Sequence, residues 1–533
     1  MRLRIVRVCI LGLLSSAGAK AEEPPESRFV TADQCIACHA QLTAPSGEDV
    51  SIGFDWRATM MANSARDPYW HAGVRREVMD HPAAQAAIED KCSTCHMPMA
   101  RTDAVAAGGQ GEVFASLLTT APQHASAADG VSCTVCHQIT PEGLGEHASF
   151  DGGFAIDSGA DGLVAFGPHD VDAGRQAVMR SAASFTPSAG AHIQQSELCA
   201  TCHTLFTTAL DDAGQAIGTL PEQVPYQEWL HSEYRNTTSC QSCHMPEVAA
   251  ETPITSVLPQ PRPRVSQHTF LGGNAFMLGI LNTYRGELGV TALPQELDAA
   301  VAATKAYLGS RAATLTIAAA ERAGSRLDLE LALASTTGHK LPTAYPSRRA
   351  WLHVLVKDAA GAVVFESGAV RPDGSIAGND NDADGTRFEP HYDLLTSADQ
   401  VQVYEAIMVD RHGAVTTGLL SGVRYVKDNR VLPRGFDKGT AEPDVAVHGE
   451  AAADASFAAG RDRVRYRLEL GAAADGPLTV SAELLYQSIG YRWAENLRAY
   501  DAAETQRFVR YYAGAAADSA IPLARAVATV DGR

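Results

Sequence analysis

Ten of the eleven cysteines fall into five Cys-x-x-Cys-His blocks: Cys35-Cys38-His39, Cys92-Cys95-His96, Cys133-Cys136-His137, Cys199-Cys202-His203 and Cys240-Cys243-His244. No other feature constrains the chain as strongly. Two thiols at this spacing can add to the two vinyl groups of haem while the adjacent imidazole reaches the iron. Zinc ribbons, dithiol redox pairs and disulfides also use Cys-x-x-Cys, but none of them needs histidine as the next residue. With 18 histidines in 533 residues a chance match at one block is about one in thirty, so five of five point to c-type haem attachment. The ten cysteines are therefore expected to carry five haem c groups, with His39, His96, His137, His203 and His244 as proximal iron ligands.

The blocks begin at intervals of 57, 41, 66 and 41 residues. So little chain per porphyrin implies that the haems supply much of the local apolar core and lie close enough to exchange electrons.

Arg2, Arg4 and Arg7 precede an apolar run ending at Leu14, followed by small residues and Ala19-Lys20-Ala21. This pattern predicts a secretory signal peptide, residues 1–21, which includes Cys9. Export to the periplasm or beyond agrees with c-type attachment, which takes place outside the cytoplasm. No apolar run approaches the roughly 20 residues of a membrane-spanning helix. The formal charge of −19 argues against nucleic acid or an anionic lipid surface as the main partner.

Thirteen histidines lie outside the blocks, and position selects among them as sixth ligands. His124 stands nine residues before Cys133 and His192 seven before Cys199; His268 follows the last block, and His339 lies in Thr-Thr-Gly-His-Lys-Leu-Pro-Thr. Met61 is a candidate thioether ligand, the competing reading being that Met60 and Met61 pack against porphyrin. His71 and His231 are fallback ligands. His81, His147 and His169 are expected at the surface, and Met97 and Met245 beside their own haems.

Asp129-Gly-Val-Ser-Cys-Thr-Val-Cys-His137, Glu197-Leu-Cys-Ala-Thr-Cys-His203, and Tyr226-Gln-Glu-Trp followed by Cys240-Gln-Ser-Cys-His-Met-Pro246 carry a resemblance. Over about residues 30 to 280 the chain resembles periplasmic multihaem c-type cytochromes (cytochrome c-554-like), such as the tetrahaem acceptor serving hydroxylamine oxidoreductase. In that family a Trp-x-x-Ser-x-His element often provides a distal histidine. Here Trp56-Arg-Ala-Thr-Met-Met61 has methionine at that position and Trp229-Leu-His-Ser-Glu-Tyr234 has tyrosine, so the family's ligand is transferred to neither. No block replaces its histidine by lysine, the mark of the catalytic haem in pentahaem nitrite reductases.

Phe276 to Tyr284 and Leu293 to Leu308 read as helices. Beyond residue 312 alternation takes over: Leu327, Leu329, Leu331 and Leu333, then runs at Trp351, Val363, Val401, Val464 and Leu478. The expected architecture is multidomain α+β: a helix-and-loop pentahaem domain over 22–312, an antiparallel β-sandwich over 313–515 closed by a helix from Asp501 to Tyr512, and a tail over 516–533. The loop Gly338 to Arg349, with one potential iron ligand and several cations, is expected to fold back onto the haem domain, His391 being a weaker candidate for the same task. Asp380-Asn-Asp-Ala-Asp-Gly385 matches the first half of a calcium loop but has His391 at position twelve, so a looser calcium site competes with a plain acidic turn.

These features predict an exported electron carrier between periplasmic redox proteins, its negative surface suited to a partner with a basic patch. Two alternatives stand beside it. One is an oxidoreductase acting on a small nitrogen or sulfur compound at a haem with an open coordination position. The other is a homo-oligomer, or a subunit docked to a membrane complex, within a conducting assembly.

Overall fold

The computed structural model describes residues 27–157, 162–470 and 476–531. The expected signal segment, residues 1–21, lies outside the described residues.

The five blocks sit on short helices, Ala32–Ile36, Gln85–His96, Cys133–Cys136, Ser196–Ala200 and Cys240–His244. A longer helix, Pro68–Asp80, begins where Asp67 accepts the backbone N–H groups of Tyr69 and Trp70 at 2.8 and 3.3 Å and Pro68 takes the first helical position. Both devices satisfy or remove donors that a helix start would leave unpaired.

The expectation of helices and loops alone in this half needs correction. Strand Leu163–Gly167 runs parallel to Phe185–Ala189, joined by helix Ala173–Ala183, and Leu205–Leu210 forms a hairpin with Ala216–Gln223. The hairpin was legible: Asp211 accepts from the N–H groups of Ala213 and Gln215 at 2.9 and 2.8 Å, and Gly214 takes the positive φ the turn needs.

Helices Ala275–Thr283 and Pro294–Arg311 lead into two sheets. One has the order Val363–Ser367, Arg349–Lys357, Leu478–Gln487, Ile521–Val530, with Val403–Tyr404 also on Arg349–Lys357. The other has the order Leu394–Leu395, Arg461–Glu469, Arg326–Ser335, Ala313–Ala323. Alternation explains the burial: along Arg461–Glu469 the arginines face out while Val464, Tyr466 and Leu468 face in. Leu327, Leu329, Leu331 and Leu333 of one sheet share a core with Leu352, Val354, Val356 and Val480 of the other.

Two further expectations are corrected here. The pairing is not wholly antiparallel, since Leu394–Leu395 runs parallel to Arg465 and Tyr466. Nor do the residues after 515 begin a free tail: Ile521–Val530 pairs with the neighbouring strand from Leu478 to Tyr486, with Ile521 and Leu523 buried in a period-two pattern.

The boundary at residue 312 does not separate two cores. Helix Ala503–Ala515 places Phe508, Val509, Tyr511 and Tyr512 in a cluster with Ala58, Ala72 and the apolar face of Ala275–Thr283. Arg75 pairs with Glu504 at 2.9 Å, and buried Glu77 accepts the backbone N–H groups of Leu419 and Leu420 at 2.8 and 3.3 Å.

Candidate functional site

Helical spacing fixes the first element of each site. Residues i, i+3 and i+4 share one helix face, so the two thiols and the imidazole of a block point to the same side. The turn holds even in the shortest helices: the backbone N–H groups of His39, His137 and His203 reach the carbonyls of Cys35, Cys133 and Cys199 at 3.0, 3.1 and 2.9 Å.

The second element is a backbone carbonyl that orients the ring. His39 Nδ1 donates to Ile254 O at 2.6 Å, His96 Nδ1 to Ser64 O at 3.1 Å, His137 Nδ1 to Phe166 O at 2.5 Å, and His244 Nδ1 to Leu271 O. Each bond puts the proton on Nδ1 and leaves the Nε2 lone pair for a metal, as the outer contacts of ligating histidines generally do. The His203 ring has no hydrogen bond among the described residues. Burial holds His39, His96, His137 and His244 below the usual imidazole range, His96 at about 4, so they are neutral and able to bind metal near neutral pH.

The third element is a facing imidazole. His268 lies opposite His137 with ring centres 6.3 Å apart and planes 19° from parallel, and its Nδ1 donates to Ser266 O at 3.1 Å. His339 lies opposite His244 at 6.2 Å and 17°, with Nδ1 donating to Lys340 O at 3.0 Å. An imidazole binds a metal at about 2 Å and its ring centre lies about 1 Å beyond the nitrogen, so two imidazoles on opposite sides of one ion stand roughly 6 Å apart. Both pairs have that spacing, and all four rings keep Nε2 free. The donor set fits haem iron held between two histidines. The loop carrying His339 does fold back onto the half that carries the blocks.

The remaining sequence candidates are placed differently. His71 has both nitrogens engaged, Nε2 with Ala65 O at 2.8 Å and Nδ1 with Arg507 at 3.0 Å, which removes it as a free ligand. His192 is buried with Nε2 on Ile139 O at 2.9 Å and its ring edge-on to Phe166. His231 donates from Nδ1 to Gln227 O and lies against Phe436. His124 heads helix His124–Ala128, and its buried Nδ1 has no hydrogen-bond partner. Met61 is half-buried, while Met60 packs on the apolar cluster around Phe276 and Phe508. Among the described residues no imidazole faces His39, His96 or His203 at the spacing of the two pairs, and Trp70 lies flat on His96 at 4.5 Å and 3°.

His147 is exposed and His169 half-exposed, but His81 is buried, its Nε2 3.4 Å from Ser421 Oγ, against the surface expectation. Its polar sequence surroundings gave no sign that strand-linking residues of the second half would cover it.

The blocks are close neighbours. The thiols of Cys35 and Cys133 are near enough to perturb each other's ionisation, as are those of Cys95 and Cys202 and those of Cys199 and Cys240. Cys136 also feels the charge of Cys202. The Cys35 block therefore adjoins the Cys133 block, which leads to the Cys199 block, and that one adjoins both the Cys92 and Cys240 blocks.

The carboxylates of the acidic loop have other partners. Asp382 points inward, bound at both oxygens to Arg349 at 2.7 and 2.9 Å, and Asp380 pairs with Arg387 at 2.5 Å. These carboxylates neutralise arginines and share no common focus. His391 is buried within the second half, with Asp454 at 3.2 Å and Asp462 at 4.0 Å from Nε2, so it does not reach the blocks. That triad also disfavours a metal: His391 Nδ1 accepts from Gln402 and Asn429 at 2.9 and 3.1 Å, which puts the ring proton on Nε2, where an ion would bind.

No family model matches the chain, and no curated protein matches it. In fold it is similar to a penta-heme cytochrome c552 from Thermochromatium tepidum, with a TM-score of 0.54 over 94% of this chain and 99% of that one at 16% identity. At that identity the likeness is one of fold. Among the described residues no helix is long and apolar enough to cross a membrane.

Proposed function

We propose that the chain is an exported five-haem c-type cytochrome that carries electrons between periplasmic redox proteins. The observation that carries this reading is the pair of facing imidazoles, His137 with His268 and His244 with His339, at 6.3 and 6.2 Å. When bound, haem c supplies a one-electron ferric/ferrous couple. The cysteines would anchor it, the block histidines would hold one side of the iron, and His268 and His339 would close the other side against substrates at two sites. His124, His192 and Met61 remain the proposed sixth ligands for the other three, of which His124 has the unpartnered ring nitrogen. The contacts between blocks support a path from the Cys35 block through the Cys133 block to the Cys199 block, branching there. The acid excess would favour a partner with a basic docking patch.

A second reading, an oxidoreductase acting on a small nitrogen or sulfur compound, is favoured by one observation. Among the described residues His203 has neither a facing imidazole nor a hydrogen bond to orient it, so its haem is the natural place for an open position. Haem counting and electron paramagnetic resonance of the oxidised protein separate the two: low-spin irons indifferent to added nitrite, hydroxylamine or sulfite support the carrier, and a responsive high-spin iron supports the enzyme.

A further inference from the structure

His339 belongs to the loop between strands Arg326–Ser335 and Arg349–Lys357, yet its ring faces a block on the other half of the chain. Something must hold that loop in place. Gly338 lies so close to Trp229 that a side-chain carbon there would stand 3.3 Å from the indole. One turn of helix Pro225–Leu230 then supplies Glu228, which is fully buried. Its Oε2 accepts the Lys340 backbone N–H at 3.0 Å and the Thr343 hydroxyl at 2.5 Å, and its Oε1 pairs with Arg430 at 2.9 Å.

The contacts form a closed circuit. Arg430 binds Asp428 through Nε and Nη2 at 2.9 and 2.7 Å, and Asp428 receives Lys340 Nζ at 2.7 Å. Two acids and two cations are thus buried together with each charge answered, the condition under which such groups are tolerated inside a protein. Glu228 is the member contributed by the haem half. The residue it grips by the N–H, Lys340, is the one whose carbonyl receives His339 Nδ1 and sets the ring.

We propose that Glu228 is a positioning residue for His339, holding its imidazole opposite His244 through the Lys340 backbone. This rests on the reading of His339 as a sixth ligand. A role confined to joining the two halves would lower stability and leave the iron's spin state alone, so spin state and carbon monoxide binding by the ferrous holoprotein are the measurements to make.

Three variants of the full-length holoprotein test it. His339→Ala comes first: one of five irons should become high-spin and bind carbon monoxide. If it does not, the ligand reading itself fails. Given that result, Glu228→Ala should convert a fraction of the same iron to high-spin and bind carbon monoxide at least several-fold faster than wild type, while Glu228→Gln, which keeps an acceptor for Lys340 and Thr343, stays mainly low-spin. Thr343→Val removes one contact and no charge, and should give the same signal at smaller amplitude even if Glu228→Ala does not accumulate. Wild-type spin state and carbon monoxide binding in Glu228→Ala, or in Thr343→Val where Glu228→Ala is not obtained, would overturn the positioning role and leave the ligand reading intact.

Discussion

His268 faces His137 across 6.3 Å with the two rings 19° from parallel, although one belongs to the third block and the other to the loop after the fifth. Each ring is held by a backbone carbonyl at Nδ1, which leaves the Nε2 lone pair of both available to a metal. The spacing is that of two ligands on one ion.

Replacing His268 by alanine should therefore open one coordination position and no other. The expected result is one high-spin iron in five, returned to low spin by millimolar imidazole, which fits the space the side chain leaves. Five low-spin irons in the variant would show that His268 is not a ligand.

Stability should fall with rising pH because of Glu222. Burial, reinforced by the charge of Glu77, raises its carboxyl from the ordinary 4.5 to about 7. The folded state then holds a proton that the unfolded state has released between those values, so the native state loses stability as pH rises through that window. Glu222→Gln keeps an acceptor for Thr207 without the titration. It should be more stable than wild type at pH 8, by roughly 1–3 kcal/mol, and no different near pH 4 in denaturant unfolding. Equal stability at pH 8 would count against the shift.

The pair of Arg349 and Asp382 is nearly inaccessible on both sides, at 4% and 1% side-chain exposure. Asp382→Ala would leave the guanidinium buried and uncompensated, a loss of about 3–5 kcal/mol. Calcium should not restore the variant, and a chelator should leave the wild-type melting temperature unchanged. A chelator-sensitive melting temperature would revive the calcium reading.

Intact-mass spectrometry of the protein from a host that attaches haem c should give the chain from residue 22 onward plus five haem groups. A mass retaining residues 1–21 would contradict the predicted cleavage, and fewer than five haems would contradict the block assignments.

How much was legible depended on the range of the interaction. The blocks are local, and their side chains share a helix face through spacing alone. The alternating leucines from Leu327 to Leu333 and the helix expected from Asp501 to Tyr512, found as Ala503–Ala515, are equally local signals. The strand Ile521–Val530 follows the same period-two rule, but alanines and Pro522 dilute its apolar pattern and hide it in the sequence. Pairing of ligands was different: His339 could be singled out from its loop, but its match to His244 depends on Glu228, Arg430 and Asp428, which converge only in the fold. His71 looked available beside its block until Arg507, from the far end of the chain, occupied its second nitrogen.

The most direct test of the carrier reading is the low-temperature electron paramagnetic resonance spectrum of the oxidised holoprotein at known haem stoichiometry, before and after nitrite, hydroxylamine or sulfite. Five haems per chain with low-spin signals that none of these compounds alters is the expected result. A high-spin signal at one iron per chain that shifts on their addition would contradict it and make the protein an enzyme.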